Sequence, residues 1–307
     1  MKNKYDGIID KDLKKFRNFK PPVARLFLPF ASLLLKLIPK SFNKDKVVVK
    51  YYNVNGVKIH IITPKELINI TTPCYFFIHG GGFMFRAVRA NYKKEEEIAI
   101  NCKIRVVGID YDLAPKYKYP IQIEECFNAY SYLISNCINL KIDSSKMILG
   151  GASAGASLAN DTYLRIVDRD LIKPKGMIAI YPVVKSEQNT ESMKKYIDSP
   201  CWNSKANKKM WEYYLGDINY ISPIERINDF SVEHYYIELA EVDPLHDEGM
   251  ELYESLKEKG IKNLVLNDTK ATFHGYDNNI DAKITIDNLQ IRNEFIMNVI
   301  NDDDNIK

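Results

Sequence analysis

A serine in a tight glycine-flanked pattern is the residue of this chain best suited to nucleophilic chemistry. Ser153 lies in Gly151-Ala152-Ser153-Ala154-Gly155, a G-x-S-x-G pattern that directly follows the strand-like residues 146–150. In such a pattern a sharp strand-to-helix turn holds the serine in a strained conformation, and small neighbours let other chain segments pass close by. In the residues that follow the pattern, apolar side chains recur with the three-and-four spacing of a helix. Ser153 is therefore the candidate nucleophile, and a glycine-rich turn without chemistry is the alternative.

A glycine-rich loop upstream offers backbone hydrogen-bond donors. A short buried-strand pattern, residues 74–78, runs into His79-Gly80-Gly81-Gly82-Phe83. Acyl transfer places negative charge on a former carbonyl oxygen, and glycine N–H groups can approach that oxygen because no side chain intervenes. We therefore expect Gly81 and Gly82, together with the N–H of Ala154, to form an oxyanion hole.

The first two residues of the same loop have supporting roles in this interpretation. Gly80 would shape the turn, and His79 would brace the loop by hydrogen bonding and would not act as a base. A phosphate-binding glycine loop is the alternative, but the chain has neither G-x-G-x-x-G nor G-K-[ST] spacing here.

A serine hydroxyl needs a positioned base before it can attack at neutral pH. His274 follows a strand pattern and a short loop, so it lies beyond the carboxyl end of a strand, where open α/β sheets place their sites. We expect His274 to be the base. The other histidines are interpreted as a loop residue near the site (His246), a residue on a solvated strand face (His60) and the first residue of a strand (His234).

The base in turn needs an acid that fixes its tautomer. Asp243 follows the strand pattern of residues 235–239 and precedes a proline turn. Aspartates in turns are usually turn formers, but the order serine, aspartate, histidine along the chain is the one expected of α/β-hydrolases. Asp243 is therefore the candidate acid. Glu241 lies close to the same strand end, and Asp247 is interpreted as the cap of the next helix.

With these residues in view, the chain resembles the hormone-sensitive-lipase-like branch of the α/β-hydrolases, which includes bacterial carboxylesterases and arylacetamide-deacetylase-like enzymes. Besides the two glycine motifs, the resemblance rests on D-Y-D-L-A-P at residues 110–115, D-P-L-H-D-E-G at 243–249 and F-H-G at 273–275. Three positions depart from the family pattern. Ala152 stands where an acidic residue or threonine is usual, Ala156 replaces a common glycine, and Asp112 replaces a common arginine.

Strand-like and helical segments alternate from residue 47 onward, which predicts a mostly parallel, eight-stranded, doubly wound sheet. The resemblance implies that this sheet belongs to an α/β-hydrolase fold. The predicted strands are residues 47–52, 57–62, 74–78, 104–109, 147–150, 177–181, 235–239 and 264–266. Residues 1–46 and 187–230 do not follow this alternation and are predicted to form a helical cap. Residues 47–186 and 231–307 then form the hydrolase core.

The two predicted cap segments differ in composition. Residues 187–230 hold Trp202, Trp211 and Tyr214 among lysines and asparagines, which favours an insertion that roofs an acyl pocket. A surface helix that packs these aromatics on the core is the alternative. The first fifty residues carry 13 basic and 4 acidic side chains around an apolar run, 23–38, that is too short and too charged to span a membrane. The resemblance implies cap helices there that close the substrate site, with reversible docking on anionic lipid as the alternative.

The overall composition bounds the partners and the location of the protein. A net charge of +3 without a basic stripe gives no reason to expect nucleic acid. The five cysteines are scattered and lack C-x-x-C spacing, so we expect no disulfide framework, no metal and a cytoplasmic location, peripheral at the membrane if the lipid alternative holds.

Together these features predict a serine carboxylesterase without a cofactor, acting on small to medium acyl esters. An amide or N-acetyl deacetylase that uses the same residues and a non-catalytic ligand-binding protein are the alternatives. The sequence does not fix the oligomeric state.

Overall fold

A single twisted sheet organises the fold. The computed structural model describes residues 4–302, so residues 1–3 and 303–307 of the predicted cap and core ranges lie outside the described residues. Eight strands pair in the order β1-β2-β4-β3-β5-β6-β7-β8. The strands are β1 (Val47–Val54), β2 (Val57–Pro64), β3 (Thr72–Ile78), β4 (Arg105–Asp110), β5 (Ile142–Ala152), β6 (Gly176–Ile180), β7 (His234–Val242) and β8 (Asn263–Phe273). β2 pairs antiparallel with β1 and β4, and every later pair is parallel. The predicted mostly parallel, eight-stranded sheet is confirmed.

Helices cover both faces of this sheet, which is why β3, β6 and residues 147–152 of β5 are nearly continuous buried runs of apolar and small residues. The α-helices of the described residues are α1 (Leu28–Leu37), α2 (Arg89–Cys102), α3 (Ile121–Ser135), α4 (Cys137–Leu140), α5 (Ala154–Asp168), α6 (Glu191–Lys195), α7 (Ser204–Leu215), α8 (His246–Lys259) and α9 (Lys283–Asn301). One hydrophobic core includes residues of α3, α5, α7 and α8, and the other includes residues of α2 and α9. The arrangement is doubly wound, as predicted.

Two local predictions are wrong. His60, expected on a solvated strand face, is buried because α2 covers that part of β2, and its Nε2 lies 2.6 Å from Oε2 of Glu95. Asp247 does not cap α8. The N-cap position is Leu245, and Asp247 lies in the first turn, where it accepts a hydrogen bond from the backbone N–H of Ser192 at 2.7 Å.

A buried aspartate on α5 makes stability depend on pH. Burial raises the pKa of the Asp161 carboxyl to about 7, although the Tyr220 hydroxyl donates to it at 3.2 Å and opposes the shift. In the unfolded chain the pKa of an aspartate is about 4. The folded pKa is the higher one, so the stability that protonated Asp161 contributes is complete below about pH 4 and is lost as the pH rises toward 7.

We expect Asp161→Asn to be more stable than the natural protein by on the order of 4 kcal/mol above pH 7, because asparagine stays neutral and can still accept from Tyr220. Near pH 4 the two proteins should unfold at similar urea concentrations. Urea midpoints measured between pH 4 and 8 check this. A difference that does not change with pH would contradict a buried, titrating carboxyl.

Candidate active site

Ser153 lies on the tight connection between β5 and α5. Its backbone has φ 57° and ψ −124°, a region that residues other than glycine rarely adopt. The Ser153 N–H donates to the carbonyl of Ile180 at 2.8 Å, which fixes the turn against the end of β6. A Cβ at Gly155 would overlap the carbonyl oxygen of Ile78, so glycine is required where α5 passes β3. The turn therefore combines strain with close packing at the carboxyl edge of the sheet.

The structure brings the three candidate side chains into one hydrogen-bonded chain. Nε2 of His274 lies 2.7 Å from Oγ of Ser153, and Nδ1 lies 2.7 Å from Oδ2 of Asp243. All three residues are buried. The second carboxylate oxygen of Asp243 accepts from the backbone N–H of Leu245 at 2.9 Å, which fixes the carboxylate. With Nδ1–H donating to the carboxylate, Nε2 is free to accept the proton of the serine hydroxyl.

The glycine loop borders the same cavity as this serine. Gly81 has φ +122° and Gly82 has φ +58°, and a Cβ on Gly81 would lie 2.6 Å from the carbonyl oxygen of Phe85. Neither glycine N–H donates a hydrogen bond to another described residue. Ala154 is the first residue of α5, and first-turn N–H groups have no acceptor inside the helix. The loop and the helix start thus present free backbone donors around Ser153, the arrangement that an oxyanion needs.

His79 sits behind this loop and away from the cavity. Its Nδ1 lies 2.7 Å from the carbonyl oxygen of Gly80, and its ring stacks on Tyr111 at 4.4 Å. The Tyr111 hydroxyl donates to the His79 carbonyl at 3.0 Å. Burial lowers the pKa of His79, which favours the neutral imidazole. These contacts are those of a residue that braces the loop. Tyr111 belongs to the D-Y-D-L-A-P segment, so that segment helps to hold the loop in place.

A cavity of about 340 Å³ opens over Ser153 and His274. The N-terminal segment contributes much of its apolar wall, through Phe19, Pro21 and Pro22 and through Ala31, Leu34 and Leu35 of α1. Among the described residues that line the cavity, Arg86 is the only lysine, arginine or acidic residue, and its Nε donates to Ser32 of α1 at 3.2 Å. Such a lining suits an apolar acyl or alcohol group.

The predicted insertion reaches this cavity with one of its tryptophans. Trp202 lines the cavity, and its ring centroid lies 6.0 Å from that of His274. Trp211 and Tyr214 of α7 pack elsewhere, the latter stacked on Phe83 with centroids 3.7 Å apart. The aromatics of α7 therefore pack on the core, as in the alternative interpretation, and the segment before α7 supplies the roof.

Sequence reasoning missed one aromatic residue at the site. Tyr181 follows β6, lines the cavity, and meets the ring of His274 edge-on with centroids 4.8 Å apart. Its hydroxyl donates to Oδ1 of Asp277 at 2.6 Å. Tyr181 comes directly after a strand that neighbours β5, so the strand-end rule that selected Asp243 and His274 could have found it.

A buried ionic network anchors that tyrosine. Arg292 donates from Nη1 to Asp277 at 2.8 Å and from Nε to Glu238 at 2.8 Å, and Nζ of Lys94 lies 2.8 Å from Asp277. All four side chains are buried. Burial by itself disfavours ionised Asp277, but Lys94 and Arg292 hold the pKa of that carboxyl below its ordinary range. Ion pairs therefore connect the loop after His274 to α2 and α9, and through Arg292 to β7.

In the described part of the chain, one cluster of side chains is of the residue types that can bind a metal ion. Ligand atoms of Glu233, His234 and Asp302 lie within 4.8 Å of one another. His234 begins β7, so the cluster lies at the amino end of a strand whose carboxyl end leads to Asp243. It takes no part in the site around Ser153.

Comparison with known proteins agrees with this fold. A family model described as alpha/beta hydrolase fold matches residues 75–278. An alpha/beta hydrolase of Acanthamoeba polyphaga mimivirus is 30% identical over 227 residues, which cover 71% of this chain and 64% of that protein. A solved structure of a bacterial heroin esterase is 26% identical, with a TM-score of 0.83 over 95% of this chain and 98% of that chain.

Hormone-sensitive lipase of Homo sapiens also matches, at 35% identity over 104 residues, which cover 34% of this chain and 10% of the lipase. The predicted resemblance to that branch is confirmed. The chain aligns with less than two thirds of the length of the viral hydrolase and of the lipase.

Proposed function

Because this chain belongs to the alpha/beta hydrolase family, we propose that it is a serine carboxylesterase that hydrolyses small to medium acyl esters. The observation that carries the proposal is the hydrogen-bonded chain from Ser153 through His274 to Asp243. The likeness to a bacterial heroin esterase over almost the whole chain supports the esterase class.

The proposed reaction proceeds through an acyl-enzyme. Ser153 Oγ attacks the ester carbonyl while Nε2 of His274 takes its proton, and Asp243 stabilises the imidazolium that forms. The tetrahedral oxyanion accepts hydrogen bonds from the N–H groups of Gly81, Gly82 and Ala154. His274 then protonates the departing alcohol. Water repeats the cycle on the acyl-enzyme and releases the acid.

The cavity walls set the proposed substrate range. We assign residues 1–46 and 187–230 to a cap over the hydrolase core formed by 47–186 and 231–307. In support, the segment from Phe19 to Leu35 and the loop at Trp202 both line the cavity over Ser153. A volume of about 340 Å³ accommodates a short or medium acyl chain with a modest alcohol.

We expect the purified protein to hydrolyse p-nitrophenyl acetate or butyrate and to react covalently with a fluorophosphonate probe. Only an activated serine attacks such a probe at a useful rate, and mass spectrometry should place the adduct on Ser153. A p-nitroanilide of the same acyl group, assayed in parallel, measures the preference for esters over amides. Faster anilide cleavage would favour the deacetylase alternative. Absence of labelling would favour a ligand-binding protein on the same fold.

A further inference from the structure

The helix that walls the cavity also presents a large apolar face to solvent. Phe30, Leu33 and Leu37 follow the three-and-four spacing of one helix face and are 62%, 54% and 70% exposed. Leu26 and Phe27, just before α1, are 84% and 54% exposed. We call these five residues the α1 surface. Soluble monomers rarely expose contiguous apolar patches of this kind unless the patch binds something.

Basic residues flank the α1 surface in the sequence. Residues 13–44 contain eight basic side chains and no acidic one. Arg25 and Lys36, which flank the α1 surface in the sequence, are exposed and form no ion pair with another described residue. Lys20 and Lys44 are exposed as well. An apolar face with basic flanks is complementary to a bilayer that carries anionic headgroups.

The cavity opens next to this surface. Phe19 and Leu34 line the cavity, and they are also 55% and 49% exposed, so both lie at its mouth. The opposite side of α1 is seated on the protein through buried Leu28 and the hydrogen bond between Ser32 and Arg86. The apolar residues of the α1 surface therefore project outward from a helix that is held in place.

We propose that the α1 surface docks the protein on anionic membranes, with the cavity mouth facing the lipid. The contact is peripheral, because no helix of residues 4–302 has the length and apolarity to cross a bilayer. A second copy of the chain is a poorer occupant, since a symmetric contact would bring the same basic flanks together. The proposal concerns binding alone and does not depend on the proposed esterase activity.

Sedimentation with phospholipid vesicles tests the proposal. The full chain should pellet with vesicles of phosphatidylglycerol and phosphatidylcholine, weakly with phosphatidylcholine alone, and less as salt is added. The double variant Phe30→Glu/Leu33→Glu should bind about tenfold more weakly or not at all, because two carboxylates would enter the interface. Arg25→Gln/Lys36→Gln should show a smaller preference for anionic vesicles than the natural protein, because two of the exposed positive charges are removed.

Ile138→Glu is the matched control, because Ile138 is an isolated apolar residue on α4 that is 88% exposed. It should bind vesicles like the natural protein. Circular dichroism melting verifies that each variant is folded. Equal pelleting of the natural protein and Phe30→Glu/Leu33→Glu, or no pelleting of either, would overturn the proposal. A dimer in analytical ultracentrifugation that this variant dissociates, without vesicle binding, would instead assign the surface to a second copy.

Discussion

Substitution of Ser153 by alanine is expected to lower kcat for p-nitrophenyl butyrate by about 10⁴–10⁶-fold. The variant keeps the glycine loop and the cavity but lacks the oxygen that forms the acyl-enzyme. Residual hydrolysis above the rate in water would come from the free N–H donors and from substrate binding in the cavity. Alanine adds no atoms to the strained turn, so the fold and the unfolding midpoint should change little. Steady-state kinetics with highly purified protein measure the effect.

Ser157→Ala provides the matched control for this experiment. Ser157 lies in the first turn of α5, is buried like Ser153, and contacts the Tyr220 hydroxyl at 3.2 Å. Its loss should change kcat only a few-fold, because the residue does not line the cavity. Ser153→Ala activity within about tenfold of the natural protein would refute the assigned nucleophile.

Substitution of Arg292 by methionine is expected to lower the free energy of unfolding by about 3–5 kcal/mol. Methionine fills a similar volume, but it leaves the buried carboxylates of Glu238 and Asp277 with Lys94 as the nearest remaining cation of the network. A buried charge without its partner is strongly destabilising, whereas lost packing contributes little here. Urea denaturation followed by tryptophan fluorescence measures the change.

The control for this second variant is an exposed ion pair. Lys283 is 80% exposed at its side chain and contacts Asp287 one turn along α9. Lys283→Met should change stability by well under 1 kcal/mol, because solvent screens the pair. Similar decreases in the free energy of unfolding for Arg292→Met and Lys283→Met would mean that the buried network stabilises the fold no more than an exposed ion pair does.

Much of the site could be predicted because its signals are local in the sequence. Alternating strand and helix patterns locate the strand ends, and parallel strands place those ends along one edge of the sheet. This rule selects Asp243 and His274, and the imidazole nitrogens of His274 lie 2.7 Å from Oδ2 of Asp243 and 2.7 Å from Oγ of Ser153. The loop at residues 79–83 can be predicted in the same local way, because its glycine spacing identifies it.

The remaining features depend on contacts between distant parts of the chain. His60 shares a strand face with exposed Lys58, and only the position of α2 decides that one is buried and the other is not. Arg292 and Glu238 are 54 residues apart, and charged letters in a sequence normally indicate exposure. Of the two tryptophans, composition could not show that Trp202 alone would reach the cavity, because that depends on how the insertion packs.

The chemistry and the shape of the cavity come from different parts of the polypeptide. Ser153, Asp243 and His274 are fixed by the central sheet, whereas one wall is built by residues that precede the first strand. Mutations upstream of β1 can therefore reshape the cavity without displacing Ser153, Asp243 or His274. If the proposed function is correct, we expect that replacing that amino-terminal stretch with the one from a related hydrolase changes which esters are cleaved, while the proposed catalytic residues stay in place.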